Sequence, residues 1–506
     1  MHRLPSAEAE VAAELADVRP GLASRYAAEL PGARAAVLTR LWRALAHEPL
    51  PWVARRERGR EGLTLRLSDG RLLHGPHADP YATAAYVTAV RLDQASYDDP
   101  ARLLTDLSVP HGAAFAAELG HSVASLALSR AGRGAHPKEW PARDWEWEWE
   151  QRVVDGHPFH PNCRSRPGFS VAEQLAYGPE HRPVVTLGLV PVRADECLVT
   201  GGWPEGMRDG ERLLIPVHPW QAEHVLKRPC DPCGDGLAAH PLMSLRTLAL
   251  PDGPHVKTAL SARLTSSVRD ISGYSISLSA TLSDFAETLA ARTDGLLHMT
   301  RTLGAATAGS PDLAAVLRES PREYAGPGER VVPVAALATT ELPESPAWLA
   351  EFTRLALTVG LRLLESGVAL EAHGQNLLVV LSADGSPVRL VYRDLADIRI
   401  SPARLARHGI PMPELTGRIV TDDVPTLRRK LFGSLVAGAL AGTAGSGTAL
   451  RGALEAVVRE LPATVDLAAL RAEPLPTKAL SLMRLSPGTA GDQWAELPNP
   501  LVTEVF

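Results

Sequence analysis

The stretch Glu371–Leu395, EAHGQNLLVVLSADGSPVRLVYRDL, decides how this chain is read. Two apolar runs, LLVVL and VRLVY, flank Asp384-Gly385, and Asp-Gly between such runs predicts a β-hairpin. A hairpin brings its two ends together. It therefore sets Glu371, His373, Gln375 and Asn376 beside Arg393 and Asp394, although Asn376 and Asp394 are 18 positions apart. Glu, Asn and Asp are hard oxygen ligands, suited to Mg2+ rather than zinc. The plainer alternative is a polar hairpin base.

Upstream, AWLAEFTRLALTVGLRLLESG (347–367) has apolar residues at helical spacing and a glycine just past its end, which predicts an amphipathic helix. Between 183 and 282, short runs read as strands separated by Pro, Gly and Asp turns: VVTLGLVPV, RLLIPVH, LRTLAL, HVKTAL and YSISLSA. Residues 1–135 read as mostly helical, with helices over Pro80–Val90 and Ala113–Ser129. One strand pair is expected at LTLRLSDGRLLH (63–74). DWEWEWE (144–150) is read as a helix running into Asp155, and AGRGAHPKEWPARD (131–144) as a boundary or mobile loop. From 312 onward the pattern is helical apart from the hairpin, and helices run to the C-terminus. Helical ends around a β-rich middle make the fold class α+β.

Composition narrows the function. The 506 residues are 45% hydrophobic and 22% charged, with net charge −6 and no dense basic run, so nucleic-acid binding has little electrostatic support. No apolar stretch approaches the ~18 residues of a membrane helix, and MHRLPSAEAEVAAELADV carries acids where a signal peptide needs an apolar core. Four cysteines, at 163, 197, 230 and 233, are too few for a disulfide framework, so a reducing cytoplasm is the expected location. The Cys230-Asp-Pro-Cys233 pair has no second CxxC and no thioredoxin-like surroundings, and is set aside as a surface loop. Lysine is scarce: only Lys138, Lys227, Lys257, Lys430 and Lys478 occur. A lysine inside a motif is therefore notable.

Three further clusters carry chemistry. In Gly156-His157-Pro158-Phe159-His160-Pro161, followed by Arg164 and Arg166, a proline after each histidine forbids a helix interior and makes a stiff loop. Two imidazoles and two guanidiniums suit an anionic substrate, while a cap loop is the equal alternative. His218-Pro219-Trp220-Gln221 reads as a packed structural turn. Ser244, Arg246 and Thr247 and then Lys257 fall on adjacent predicted strands, with Thr265, Ser266, Ser267 and Arg269 beyond them. Hydroxyls interleaved with cations match a triphosphate or a tricarboxylate, although neither a Walker loop nor GxGxxG is present. The alternative is an outward-facing charged sheet face.

In order along the chain, GHPFHP…R-x-R-x-G, HPWQ, S-x-RT…K…TS-x-x-R, EAHGQN and RD resemble the signature of the aerobactin synthetase (IucA/IucC) family, the siderophore synthetases that work without a peptide-synthetase assembly line. The resemblance runs from about residue 148 to Arg484. It implies a hand-like architecture: a helical thumb (1–140), β-rich fingers (141–310) and a mostly helical palm (311–506). It implies a homodimer and an ATP- and Mg2+-dependent enzyme acting on a carboxylic acid such as citrate. An acyl-adenylate and pyrophosphate form first, and an amine, hydroxylamine or alcohol then displaces AMP.

By the same resemblance, Lys257, Arg269 and His373 are catalytic. Ser244, Arg246, Thr247, Lys257, Gln375, Asn376 and Asp394 face the nucleotide. His157, His160, Arg164, Thr265, Arg269, His373 and Lys478 face the substrates, and Glu371, Asn376 and Asp394 face the metal. Arg164 stands where the family usually has lysine, which alters reach and geometry. The family's C-terminal part is sometimes labelled as similar to a ferric reductase, but no cysteine follows Cys233 to ligate an iron–sulfur cluster. The rival readings are a small-molecule kinase-like phosphotransferase, suggested by His-Gly-x-Asn…Asp, and a non-catalytic binding protein. Gln375 near the place of the expected kinase base opposes the first. The intact set of charged residues opposes the second.

Overall fold

A computed structural model of the chain describes residues 6–133, 145–227, 236–264 and 267–502. Most of the AGRGAHPKEWPARD segment, the Cys230/Cys233 pair and Thr265 with Ser266 lie outside them. The architecture mixes helix and sheet, as α+β requires.

Among the described residues nine strands form one antiparallel sheet. At its centre His255–Thr258 lies between Thr247–Ala249 and Ala314–Arg318, with Thr247 opposite Lys257 and His255 opposite Arg318. Alternation separates the two faces. Leu248, Val256, Ala315 and Leu317 point into an apolar core with Leu213 and Ile215, so Lys257, Val316 and Arg318 point the other way. A four-stranded sheet stands apart: Leu297–Met299, Pro387–Tyr392, Leu377–Leu381 and Arg330–Pro333. Its middle pair is the expected hairpin, with Leu377 opposite Tyr392 and Gly385 at φ +86° in the turn. The helix Pro346–Ser366 buries Trp348, Phe352, Leu355, Ala356, Val359 and Leu363 against this sheet. Ser345 Oγ accepts from Trp348 N at its start, and Gly367, at φ +107°, ends it.

Several expectations are corrected. YSISLSA opens the helix Gly273–Ala290 rather than forming a strand. Its apolar–serine alternation imitates period two, but Ser272 caps the N-terminus and Leu282, Phe285, Ala286 and Leu289 share a helical face, while Ile276 packs on a separate cluster with Ala305 and Val316. Residues 312–333 hold two strands, Ala314–Arg318 and Arg330–Pro333, with only the short 3-10 turn Pro321–Tyr324 between them. Pro80–Val90 is turn and extended chain, and the N-terminal region holds a five-stranded sheet rather than one strand pair. Near the C-terminus a strand pair, Leu475–Lys478 with Trp494–Leu497, interrupts the helices. The helix in WEWEWE spans only Glu146–Glu150 before the chain turns. Among the described residues no helix is long and apolar enough to cross a membrane.

Candidate functional site

The two sheets meet at a cavity of about 560 Å3. From the nine-stranded sheet and its hairpin extension come Ser244, Arg246, Thr247, Lys257, Arg269 and Arg318. From the EAHGQN…RD hairpin come Glu371, His373, Gln375, Asn376 and Asp394. The chain thus brings together ten of the expected residues, and Arg164 reaches the same cavity wall. The spacing of Gly374 is explained by contact: a Cβ there would stand 3.0 Å from Ala335 N, and the Gly374 carbonyl accepts from that same N–H at 2.8 Å.

Asp394, at φ +71°, lies between cations from the other sheet. Its Oδ2 accepts from Lys257 Nζ at 2.8 Å and its Oδ1 from Arg318 Nη2 at 2.9 Å. Burial pushes this carboxyl up, but Arg318 and Lys257 overcome the effect and hold it well below the ordinary range. Lys257 is only 8% exposed, and burial brings its ammonium down to about 7, with Asp394 opposing. Arg246 is lowered to about 10, again by burial, and its Nη1 donates to the Arg269 and Asp270 carbonyls at 2.7 Å each. Arg393 donates to the Gln375 carbonyl and meets Glu150 Oε1 at 2.7 Å, which fixes the turn between the hairpin's two ends.

Four histidines share one local geometry. His157, His160, His218 and His373 each accept at Nδ1 from the backbone N–H two residues on. The proline or glycine that follows sets that turn. Burial holds all four below the ordinary imidazole range, His160 and His218 at about 3. His157 and His160 flank the cavity rather than line it; His157 lies near His373, and His160 near Arg269. His218 and Trp220 are buried, as the structural reading of HPWQ expects.

Two expected residues are differently engaged. Arg164 is buried, with Nε donating to the Val154 carbonyl at 2.6 Å, Nη2 to Val153, and Nη1 3.4 Å from Glu180 Oε2. Its guanidinium ties the loop to the core beside the cavity wall. Glu371 Oε1 lies 3.0 Å from Lys430 Nζ and 3.2 Å from Lys478 Nζ. Burial pushes its carboxyl up, yet Lys478 and Lys430 bring it down to about 2. Its pairing with two cations parallels that of Asp394 with Lys257 and Arg318. Lys478 is therefore a neighbour of the site through Glu371.

Arg318, His255 and two glutamates, Glu146 and Glu150, were not anticipated as site residues. Arg318 closes the strand AAVLR, whose four apolar residues are too short a run to declare a strand. The glutamates alternate with tryptophans in a tract whose apolar face drew the reading.

Residues 146–339 match the IucA / IucC family, and residues 346–492 match the family described as ferric iron reductase FhuF-like transporter. Among curated relatives, the citryl-spermidine/3,4-dihydroxybenzoyl-citryl-spermidine:spermidine ligase of Bacillus anthracis is 28% identical over 314 residues, covering 49% of this chain and 50% of that protein. Staphyloferrin A synthase of Staphylococcus aureus is 23% identical over 338 residues, covering 56% and 57%. The chain spans about half the length of the curated relatives it matches. Solved structures share the fold over nearly the whole chain. The petrobactin biosynthesis protein AsbB of Bacillus anthracis superposes with TM-score 0.75 at 18% identity, covering 95% of this chain and 98% of that one. ATP-bound aerobactin synthetase IucA of Klebsiella pneumoniae gives 0.72 at 21%, covering 93% and 99%. The motifs and the matched segment are thus similar to the IucA/IucC family, and the fold is shared with solved structures of AsbB and IucA.

Proposed function

We propose that this chain is an ATP-dependent synthetase of siderophore biosynthesis, which adenylates a carboxylic acid such as citrate and condenses it with an amine, hydroxylamine or alcohol. The observation that carries this reading is the convergence of Arg246, Lys257, Arg269 and Arg318 on a cavity whose opposite wall presents Asn376 and Asp394. Fixed, partly desolvated cations suit a triphosphate, because they meet charge developing at phosphorus without reorganising. Relatives named as citrate and amine ligases, and a fold neighbour with ATP bound, support the same reading.

In this reaction Arg246, Lys257 and Arg318 hold the phosphates in line, and pyrophosphate leaves against them. Arg269, with His157, His160 and His373, orients the acid so that a carboxylate oxygen faces the α-phosphate. Once AMP is the leaving group, the nucleophile attacks the acyl carbon and a C–N or C–O bond replaces the mixed anhydride. Asn376 and Asp394 form a hard-oxygen pair of the kind Mg2+ takes alongside phosphates, where the ion supplies charge compensation. Within this sequence no cysteine follows Cys233, so the reductase label of the C-terminal match brings no cluster ligands with it.

The test is acid-dependent release of pyrophosphate from ATP across a panel of polycarboxylic acids, with nucleotide products resolved. AMP and pyrophosphate are expected. ADP as the product would establish a kinase-like phosphotransferase instead, and no turnover with any acid would overturn the synthetase.

A further inference from the structure

The two halves of the phosphate site come from different sheets, so something must fix the distance between them. One short helix touches both. Glu146 and Glu150, four residues apart on the helix Glu146–Glu150, are 3% and 0% exposed. Glu146 Oε1 lies 2.7 Å from His255 Nε2 and accepts from Ser320 Oγ at 2.9 Å. His255 stands two residues before Lys257 on its strand, and Ser320 two residues after Arg318 on the next. Glu150 Oε1 meets Arg393 Nη2 at 2.7 Å, and its Oε2 accepts from Met243 N at 2.9 Å. Arg393 immediately precedes Asp394, and its own N–H donates to the Asn376 carbonyl at 3.0 Å.

We infer that this helix is a staple, with Glu146 and Glu150 as positioning residues that set the spacing between the Lys257/Arg318 strands and the Asn376/Asp394 hairpin. The inference rests on the ATP reading of the cavity. Burying two carboxylates is costly unless each is paired. Here the side-chain partners of Glu146 belong to the cation-bearing sheet, while Glu150 holds Arg393 of the metal-facing hairpin together with the Met243 N–H beside Ser244. A glutamine in either place keeps the size and some of the hydrogen bonds but loses the charge that holds His255 or Arg393. The residues next along the chain then lose their register, and displacement of about 1 Å in such a site is worth up to about a hundredfold.

The experiment is titration of the full chain with Mg·ATP, for the wild type, Glu146→Gln, Glu150→Gln, Lys257→Ala and the double variant Glu146→Gln/Lys257→Ala, with thermal unfolding in parallel. Affinity is expected to fall at least about tenfold in each glutamine variant. The double variant should lose less than the product of its two singles, because Glu146 acts by placing the strand that carries Lys257. A contribution to stability alone would lower the melting temperature and leave ATP affinity unchanged in the folded variants. That result overturns the staple, as does strict additivity in the double variant. If Glu150→Gln does not fold, Glu146→Gln carries the test, because its amide oxygen still accepts from Ser320. A wild-type chain that binds no Mg·ATP would instead overturn the ATP reading. A wild type that binds, beside variants that bind equally well, overturns the staple alone.

Discussion

Lys257 Nζ stands 2.8 Å from Asp394 Oδ2 across the gap between two sheets, although the residues are 137 positions apart. Lys257→Ala is expected to lose at least about a hundredfold in the rate of pyrophosphate release, as removal of one pre-placed transition-state donor does. Its unfolding temperature should stay near that of the wild type. Burial already disfavours the ammonium, and Asp394 keeps Arg318 as a partner. Wild-type turnover in a folded Lys257→Ala protein would remove the lysine from the reaction.

Asp394→Asn separates charge from shape. The amide fits the same space but binds a divalent cation less well and leaves Lys257 facing Arg318 without a counter-charge. A folded protein with acid-dependent pyrophosphate release reduced by about a hundredfold or more is expected. Unchanged release in the purified variant would show that this carboxylate serves the fold only.

Arg164 tests the opposite case. Its donors go to Val153, Val154 and Glu180, so Arg164→Lys should cost roughly 1–3 kcal/mol of stability by leaving buried acceptors unmatched. The Michaelis constants for acid and ATP should move by less than about twofold. A selective rise in the constant for the acid would return Arg164 to the substrate site.

Glu180 sets an acid limit on the fold. It is wholly buried beside Arg164, Arg166 and Ser129. Burial pushes its carboxyl up, but the two arginines hold it well below the ordinary range. Its folded value is therefore depressed, so its stabilisation is fully present above about pH 4.3 and is lost as pH falls below that, at up to about 1.4 kcal/mol per pH unit. Glu180→Gln should remove one proton's share of that slope in denaturant titrations between pH 3 and 7. At neutral pH it should cost roughly 3–5 kcal/mol by leaving two buried guanidiniums unpaired. An unchanged acid slope would mean that other carboxylates govern acid unfolding.

Much of this site was legible in the sequence wherever local chemistry dictates local shape. The hairpin 376–395 declared itself because Asp-Gly between apolar runs admits few other conformations, and Pro346–Ser366 because its period, cap and terminal glycine agree. YSISLSA misled because serine at every second place imitates a half-buried strand, while the cap that decides for a helix is a single residue, Ser272. Arg318 and His255 carried no local signal. Their place in the cavity follows from pairing between strands some sixty residues apart, which no window of sequence contains. Glu146 and Glu150 were hidden by their neighbours: among tryptophans, glutamates read as the solvent face, yet both are buried.

The shared turn of the four histidines has a chemical consequence for the second half-reaction. A ring whose Nδ1 accepts a backbone N–H carries its proton on Nε2, so His157 and His160 present fixed N–H donors. With burial holding His157 well down and His160 at about 3, neither is basic enough to take a proton near neutral pH. In the proposed second half-reaction neither of these two rings therefore takes the proton of an incoming ammonium. Amide formation should then quicken as the medium approaches the amine's own ionisation, while an alcohol of the same shape gains nothing from that change.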